Sequence, residues 1–150
     1  MKKILVAVDG SESSKKAAQK GALIAESLGA EVTLINVISE AVTTPLSGVS
    51  SSMPIETLQD LMEQKEQELK YNAEKILRED AQYFKERGVD VEKLIRYGNP
   101  ADVICNYAEE KDFDMIVMAD KGHGGVKRFL LGSISDKVVR HAQISVLVVK

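Results

Sequence analysis

Short runs of apolar residues, separated by segments with helical periodicity, limit this chain to an α/β fold. The first run, Ile4–Val8, is continuous and rich in β-branched residues, with no polar residue inside it. A strand of this kind is buried on both faces, which is typical of a parallel sheet covered by helices. Val32–Val37, Phe113–Met118 and Ser145–Val149 predict three further strands, and the partial alternation over 89–97 predicts a half-buried one.

Helical segments with recognisable ends connect these strands. Ser11 is a good N-cap for a helix with small residues on its apolar face, and Gly29 is typical of the position just beyond a helix end. Pro54 predicts the first residue of a second helix that extends to about Arg87. Its polar interval, residues 63–68, favours a solvated face where the helix projects beyond the sheet over the alternative of a partner contact. We expect a long loop over 39–53, a helix after Gly98-Asn99-Pro100 and a last helix over 134–142.

This alternation predicts one domain, residues 1–150, with a five-stranded parallel sheet and helices on both faces. Right-handed crossovers place the first strand inside the sheet and give the strand order 3-2-1-4-5. Strands one and four are then neighbours, and the connections that follow them leave on opposite sides. Such a position is a topological switch point, where ligands bind. Asp9 follows the first strand and Ala119-Asp120 follow the fourth, so we expect them to meet in one crevice.

A glycine-rich stretch follows the fourth strand and ends at the last helix. It contains Gly122, Gly124 and Gly125, and Gly132-Ser133 stand directly before the helix. Glycine backbone lets an anion approach closely, and the free N–H groups of a helix N-terminus favour phosphate. The stretch is therefore a candidate phosphate-binding loop, although glycines between a strand and a helix often form only a turn. It is not a P-loop, because the pattern GxxxxGK[ST] is absent.

Composition argues against several other classes of function. The net charge of −3 gives no electrostatic footprint for nucleic acid. A single cysteine, Cys105, excludes an intramolecular disulfide framework, and its helical surroundings favour a small core residue over a nucleophile. No apolar run is long enough for a signal peptide or a membrane span, so we expect a cytoplasmic protein with no membrane partner.

Three segments resemble the universal stress protein family, and the resemblance extends over the whole chain. They are Lys3–Ser11, Gly98–Pro100, and the segment from Gly122 to Ser133 followed by Val146–Val149. ATP-binding members of this family carry the pattern G-x2-G-x9-G-[ST]. Nine residues separate Gly122 from Gly132 here, and Ser133 follows, but Ala119 replaces the first glycine of the pattern. The resemblance implies a Rossmann-like fold of the adenine nucleotide alpha-hydrolase type.

The same resemblance implies a site for ATP, or for ADP or AMP, with Mg²⁺ bound through the phosphates. It gives Asp9 a contact with the ribose or the base, and it gives Ala119 a backbone contact on the ribose side. It implies that adenine lies against Val37 and Met118, and that the phosphates lie against Gly122, Gly132, Ser133 and Ile134.

Two residues oppose tight binding in this interpretation. A Cβ at Ala119 costs roughly 1 kcal/mol or more if the position needs a positive φ, and little if the backbone is extended. The Asp120 carboxylate repels a triphosphate unless a divalent cation lies between them, although Lys121, Lys127 and Arg128 can offset its charge.

Each predicted site residue also has a purely structural explanation. Asp9 and Ser133 are both residue types that cap helices, so either could serve only as a cap. Val37 and Met118 are core candidates whether or not adenine is present, and His123 fits an exposed loop.

The resemblance implies a nucleotide-responsive regulatory protein of the stress response. The sequence offers no convincing catalytic base near the glycine loop, so we expect at most slow ATP hydrolysis. The alternative, which Ala119 supports, is a family member that binds no nucleotide and acts through dimerisation and protein contacts. A phosphoacceptor receiver domain is disfavoured, because the first strand ends in a single acid, Asp9, and the third ends in Tyr97-Gly98.

The last strand predicts a homodimer. In the proposed order it lies at an edge of the sheet, and Val146–Val149 contains neither proline nor an internal charge to protect that edge. Antiparallel pairing of this strand with its copy gives a closed two-fold dimer, and the family resemblance points to the same surface.

Overall fold

The computed structural model describes residues 3–39, 52–122 and 130–150 of the chain, in which strands and helices alternate. The strands are β1 (Lys3–Ala7), β2 (Glu31–Ser39), β3 (Val91–Gly98), β4 (Met115–Ala119) and β5 (Ser145–Val149). Four helices lie in the described ranges: α1 (Glu12–Leu28), α2 (Ile55–Lys85), α3 (Pro100–Glu110) and α4 (Ser133–His141).

The five strands form one parallel sheet with the order β3-β2-β1-β4-β5, which confirms the predicted topology. β1 lies in the interior, where Ile4 is opposite Val32 of β2 on one side and Met115 of β4 on the other. The connection after β1 therefore leads toward the β3 edge and the connection after β4 leads toward the β5 edge, which creates the predicted switch point.

Helices cover both faces of the sheet and divide the core in two. On one face, α1 and α2 pack over side chains that include Ile4, Val6 and Val117. Small residues let α1 lie close to the strands, and a Cβ on Gly21 would already be 3.1 Å from Val6 Cγ2. On the other face, α3 and α4 pack over a second set, which comprises Leu5, Ile35, Ala101, Ile104, Cys105, Ala108, Phe113, Ile116, Met118 and Val138. The prediction that Cys105 is a core residue is confirmed, and burial raises the pKa of its thiol.

The predicted helix ends are largely confirmed. Ser11 is the N-cap of α1, and its side chain accepts a hydrogen bond from the Ser14 N–H at 3.1 Å. Gly29 follows α1 with φ of +61°. The prediction for Pro54 is wrong by one position, because it is the N-cap of α2 and Ile55 is the first helical residue. Most strand bounds differ from the predicted ones by one or two residues, and of the predicted long loop, residues 40–51 lie outside the described residues.

α2 is much longer than the strands that it covers. Its 31 residues span about 46 Å, whereas its first buried residue is Ala73. The N-terminal half of the helix is mostly exposed, so the solvated face predicted for 63–68 is confirmed.

Candidate functional site

The segment after β1 forms a tightly hydrogen-bonded corner around Asp9. The Asp9 N–H donates to Ser14 Oγ at 2.9 Å, and the Asp9 Oδ1 accepts from the Ser11 N–H at 2.9 Å. The N-cap of α1 is Ser11, so the alternative in which Asp9 caps this helix is wrong. The carboxylate is instead fixed by the turn at the carboxyl end of a central strand.

Gly122 lies directly against this carboxylate. A Cβ added to Gly122 would collide with Asp9 Oδ2. The fold thus brings together two predicted site residues that are 113 positions apart in the chain, one after β1 and one after β4. Since a side chain at position 122 would have to displace the carboxylate, this arrangement favours glycine.

Gly132 is held against the end of β4 by backbone contacts. Its N–H donates to the Asp120 carbonyl oxygen at 2.7 Å, and Ser135 Oγ donates to the same oxygen at 2.5 Å. A Cβ on Gly132 would lie 3.1 Å from Lys121 Cα and 3.2 Å from the Asp120 oxygen. The absent side chain therefore serves the close packing of α4 on β4, in addition to any role toward phosphate.

Ser133 and Ile134 begin α4, and both are exposed. The N-cap is Gly132, which has no side chain to accept from the helix, so the alternative in which Ser133 is the cap is wrong. Helix N-termini carry a partial positive charge and N–H groups that lack intrahelical partners. This end of α4 is thus suited to an anion, and it is fixed beside the segment that leads to Gly122.

Val37 and Met118 lie near the carboxyl ends of β2 and β4, on the same face of the sheet. Met118 is buried and Val37 is half-buried, so the core explanation given for both residues holds. Ala119 is the last residue of β4 and is paired with Val149. Asp112 is the one non-glycine residue with a positive φ in the described ranges. Ala119 therefore does not have the left-handed backbone conformation that disfavours a Cβ.

The family model for universal stress proteins matches residues 1–150. The chain belongs to the universal stress protein family. It is 34% identical to universal stress protein YxiE of Bacillus subtilis over 150 residues, which cover 99% of this chain and 98% of that protein.

Solved structures of similar proteins agree with this assignment. The protein MJ0577 superposes with a TM-score of 0.81 at 26% identity, with coverage of 99% of this chain and 95% of that one. A universal stress protein in complex with cAMP superposes with a TM-score of 0.71, also at 26% identity, with coverage of 99% and 97%. The resemblance and fold predicted from the motifs are therefore confirmed.

Several residues that shape the site in this universal stress protein were not found from its sequence. Asn36 is buried, and its Nδ2 donates to the Val8 carbonyl oxygen at 2.8 Å, which ties the ends of β1 and β2 together. Ile76 of α2 lies against Gly10, whose φ is +85°. An amide inside the apolar run Val32–Val37 was the available signal for Asn36. No local pattern connects Ile76 to Gly10, because the contact joins two distant segments.

Some predictions fall outside the described residues, namely those on Gly124, Gly125, His123, Lys127 and Arg128. Across 3–39, 52–122 and 130–150, no three His, Cys, Asp or Glu side chains cluster closely enough to hold a metal ion. In the same ranges, no helix is long and apolar enough to cross a membrane.

A groove of about 640 Å³ lies at the opposite end of the sheet, near the start of β1, β2 and β3. There Lys3 Nζ donates to the Lys111 carbonyl oxygen at 2.5 Å and lies 4.7 Å from the centre of the Phe113 ring. The Lys3 ammonium thus stabilises the fold itself. We place the candidate site at the carboxyl ends of β1 and β4, where Asp9 and Gly122 meet.

Proposed function

We propose that this universal stress protein binds one adenine nucleotide at the carboxyl ends of β1 and β4 and acts as a nucleotide-responsive regulatory module. The observation that carries the proposal is the contact between the Asp9 carboxylate and Gly122 at the switch point of the sheet. Ligands of open α/β sheets bind at such points. A related protein at 26% identity is known in complex with cAMP, which supports an adenine nucleotide as the ligand class.

In this proposal the two ends of the nucleotide contact different elements. Asp9 accepts hydrogen bonds from the adenosine part, since ionised carboxylates accept from hydroxyl and amino groups. Val37 and Met118 border the adenine, and the backbone of Ala119 faces the ribose. The phosphates lie over Gly122 and over the start of α4, which comprises Gly132, Ser133 and Ile134.

Two features of the described residues suit an anion at this place. The first turn of α4 is exposed at Ser133 and Ile134, and the N–H groups of a helix N-terminus favour an anion. Gly122 has no Cβ, and the backbone there can approach a phosphate closely. ATP is the expected ligand, with ADP and AMP as the shorter alternatives. A Mg²⁺ ion would be held through the phosphate oxygens, where it would neutralise charge and shield the nucleotide from the carboxylates of Asp9 and Asp120.

The regulatory module is proposed to be a homodimer formed through β5. This strand is at the edge of the sheet, and its residues Val146, Leu147 and Val148 are only partly buried within one chain. Pairing with a second copy would cover these side chains and satisfy the backbone groups of the edge.

Isothermal titration calorimetry with Mg-ATP, Mg-ADP, AMP and cAMP tests the nucleotide proposal. We expect one site per chain for at least one of these ligands, with a dissociation constant in the micromolar range. Because the chain has no tryptophan, a raised 260/280 nm absorbance ratio of the purified protein gives an independent sign of bound nucleotide. Absence of heat and of a thermal shift with all four ligands at millimolar concentration would favour the alternative, a family member that acts through protein contacts alone.

A further inference from the structure

A carboxyl group lies buried where the long helix packs on α1. Asp80 belongs to the buried face of α2, together with Ala73, Leu77 and Phe84, and only 2% of it is exposed. Within the described part of the chain, Asp80 Oδ2 has no hydrogen-bond partner. Buried polar atoms are almost always hydrogen-bonded, so an unpaired carboxyl oxygen requires an explanation.

Two close contacts place Asp80 on the surface that faces α1. One turn before it, Ile76 Cδ1 lies 2.9 Å from where a Cβ on Gly10 would be, just before the start of α1. One turn after it, Phe84 Cζ lies 3.6 Å from where a Cβ on Gly21 would be, in the middle of α1. Asp80 is therefore enclosed between the two ends of a tight helix–helix contact.

The charges around Asp80 come from three elements. Lys15 on α1 attracts the carboxylate, whereas Glu79 on α2 and Asp9 after β1 repel it. Lys15 is also paired with Glu12 at 3.0 Å, so its attraction for Asp80 is shared with a second acid. Tyr83 of α2 also faces Lys15. Among the described residues, the charges that act on Asp80 are thus one cation and two acids, and one of these acids, Glu79, lies 4.0 Å from Lys75.

We propose that Asp80 is a proton-binding switch in the α1–α2 interface. When the carboxyl is protonated, it fits the apolar contact as a neutral group, and the long helix is held tightly on α1. When it ionises, the interface contains a buried charge whose Oδ2 has no hydrogen-bond partner in the described residues, and the packing of α2 on α1 weakens. This switch does not depend on the proposed nucleotide function.

The titration falls in a range that cells experience. Burial raises the pKa of Asp80 from 3.8 to about 6, Lys15 opposes the change, and Glu79 and Asp9 add to it. The proton is therefore lost between about pH 5 and pH 7 while the helices remain packed. Ile76 on the same helix lies against Gly10, so weaker packing of α2 also loosens the turn that follows Asp9.

The first experiment measures the titration of Asp80 directly by carboxyl ¹³C NMR on the protein without nucleotide. We expect a midpoint near pH 6. Asp9→Asn should lower the midpoint, because it removes a repelling charge, and Lys15→Gln should raise it, because it removes the attracting one. A midpoint below pH 5 in the unmodified protein would overturn the proposal.

The second experiment measures the weakening of the interface by amide hydrogen exchange of α2 at pH 5.0 and pH 7.5, corrected for the intrinsic rate. The pKa of Asp80 is 3.8 when the interface is open and about 6 when it is closed. The protection of the α2 amides should therefore fall roughly tenfold from pH 5.0 to pH 7.5. Asp80→Asn should remove this difference, whereas Asp60→Asn, an exposed change on the same helix, should preserve it. Equal pH dependence in Asp80→Asn and the unmodified protein would contradict the switch.

Discussion

Gly132 lies so close to Lys121 that a Cβ on the glycine would be 3.1 Å from the lysine Cα. The same Cβ would be 3.2 Å from the Asp120 carbonyl oxygen, which already accepts hydrogen bonds from Gly132 and Ser135. Both neighbouring atoms belong to the backbone, and they move only if α4 or the end of β4 moves. The glycine at the start of α4 therefore serves the packing of the fold as well as any ligand.

The Gly132→Val substitution should destabilise the protein itself. The branched side chain has to displace backbone atoms, and overpacking of this kind costs about 1–3 kcal/mol. The measurement is urea unfolding followed by circular dichroism. Ser133→Ala is the matched control, because this neighbouring side chain is exposed and does not cap the helix. It should change the free energy of unfolding by less than about 0.5 kcal/mol. Unchanged stability of Gly132→Val would show that α4 packs less tightly than the structure indicates.

The Gly122→Ala substitution should impair nucleotide binding more than stability. The new methyl group displaces the Asp9 carboxylate, which we propose contacts the adenosine part of the ligand. We expect the dissociation constant measured by calorimetry to rise at least about tenfold, equivalent to 1.4 kcal/mol. In an Asp9→Ala background the same change should have little further effect, because the collision is removed. Independent, additive losses in the double variant would mean that Gly122 acts without Asp9.

The Ala119→Gly substitution should leave nucleotide affinity within about twofold of the original value. Ala119 is a strand residue paired with Val149, so its Cβ meets no unfavourable backbone conformation that glycine would relieve. Glycine inside a strand should lower the free energy of unfolding by roughly 0.5–1 kcal/mol. A clear gain of affinity in calorimetry would show that the Cβ obstructs a close backbone contact with the ribose.

The Val148→Pro substitution should convert the proposed homodimer to a monomer. The Val149 carbonyl oxygen accepts from the Asp120 N–H, so Val149 directs its backbone groups toward β4. The preceding residue, Val148, then directs its N–H to the outer edge, where proline removes a donor without breaking the β4–β5 ladder. Light scattering at micromolar concentration measures the mass. Val148→Thr, which keeps the donor, should remain dimeric, and a monomeric unmodified protein would exclude this interface.

The Asp80→Asn substitution should stabilise the protein at neutral pH and much less in acid. The folded-state pKa of Asp80 is raised, so its proton contributes stability that is fully present below about pH 4 and is lost as pH rises through about 6. The difference in the free energy of unfolding between the variant and the unmodified protein should grow by roughly 2–3 kcal/mol from pH 4 to pH 8. Urea unfolding at each pH measures it, with Asp60→Asn as the exposed control. A constant gap would show that Asp80 does not titrate in this range.

The fold could be predicted from the sequence because its signals are local. Continuous apolar runs such as Ile4–Val8 report burial on both faces, and the ends of α1 are marked by Ser11 and Gly29. With the strands and helices assigned, the handedness of crossovers leaves few topologies, and 3-2-1-4-5 follows. Individual boundaries were less certain, as Pro54 shows, because a helix end depends on one or two hydrogen bonds.

The sequence by itself determined the order of the sheet, the switch point and the family, since each depends on patterns within short segments. Only the tertiary structure decided that Gly122 lies against Asp9, that Gly132 packs on the Lys121 backbone, and that Asp80 is enclosed by α1. These relationships join residues that are distant in the chain, and their distances depend on how helices settle on the sheet. In the sequence, Asp80 is one of many charged residues in a long polar helix. Close packing of that helix against α1 excludes water from its carboxyl group, and this gives Asp80 its distinct chemistry.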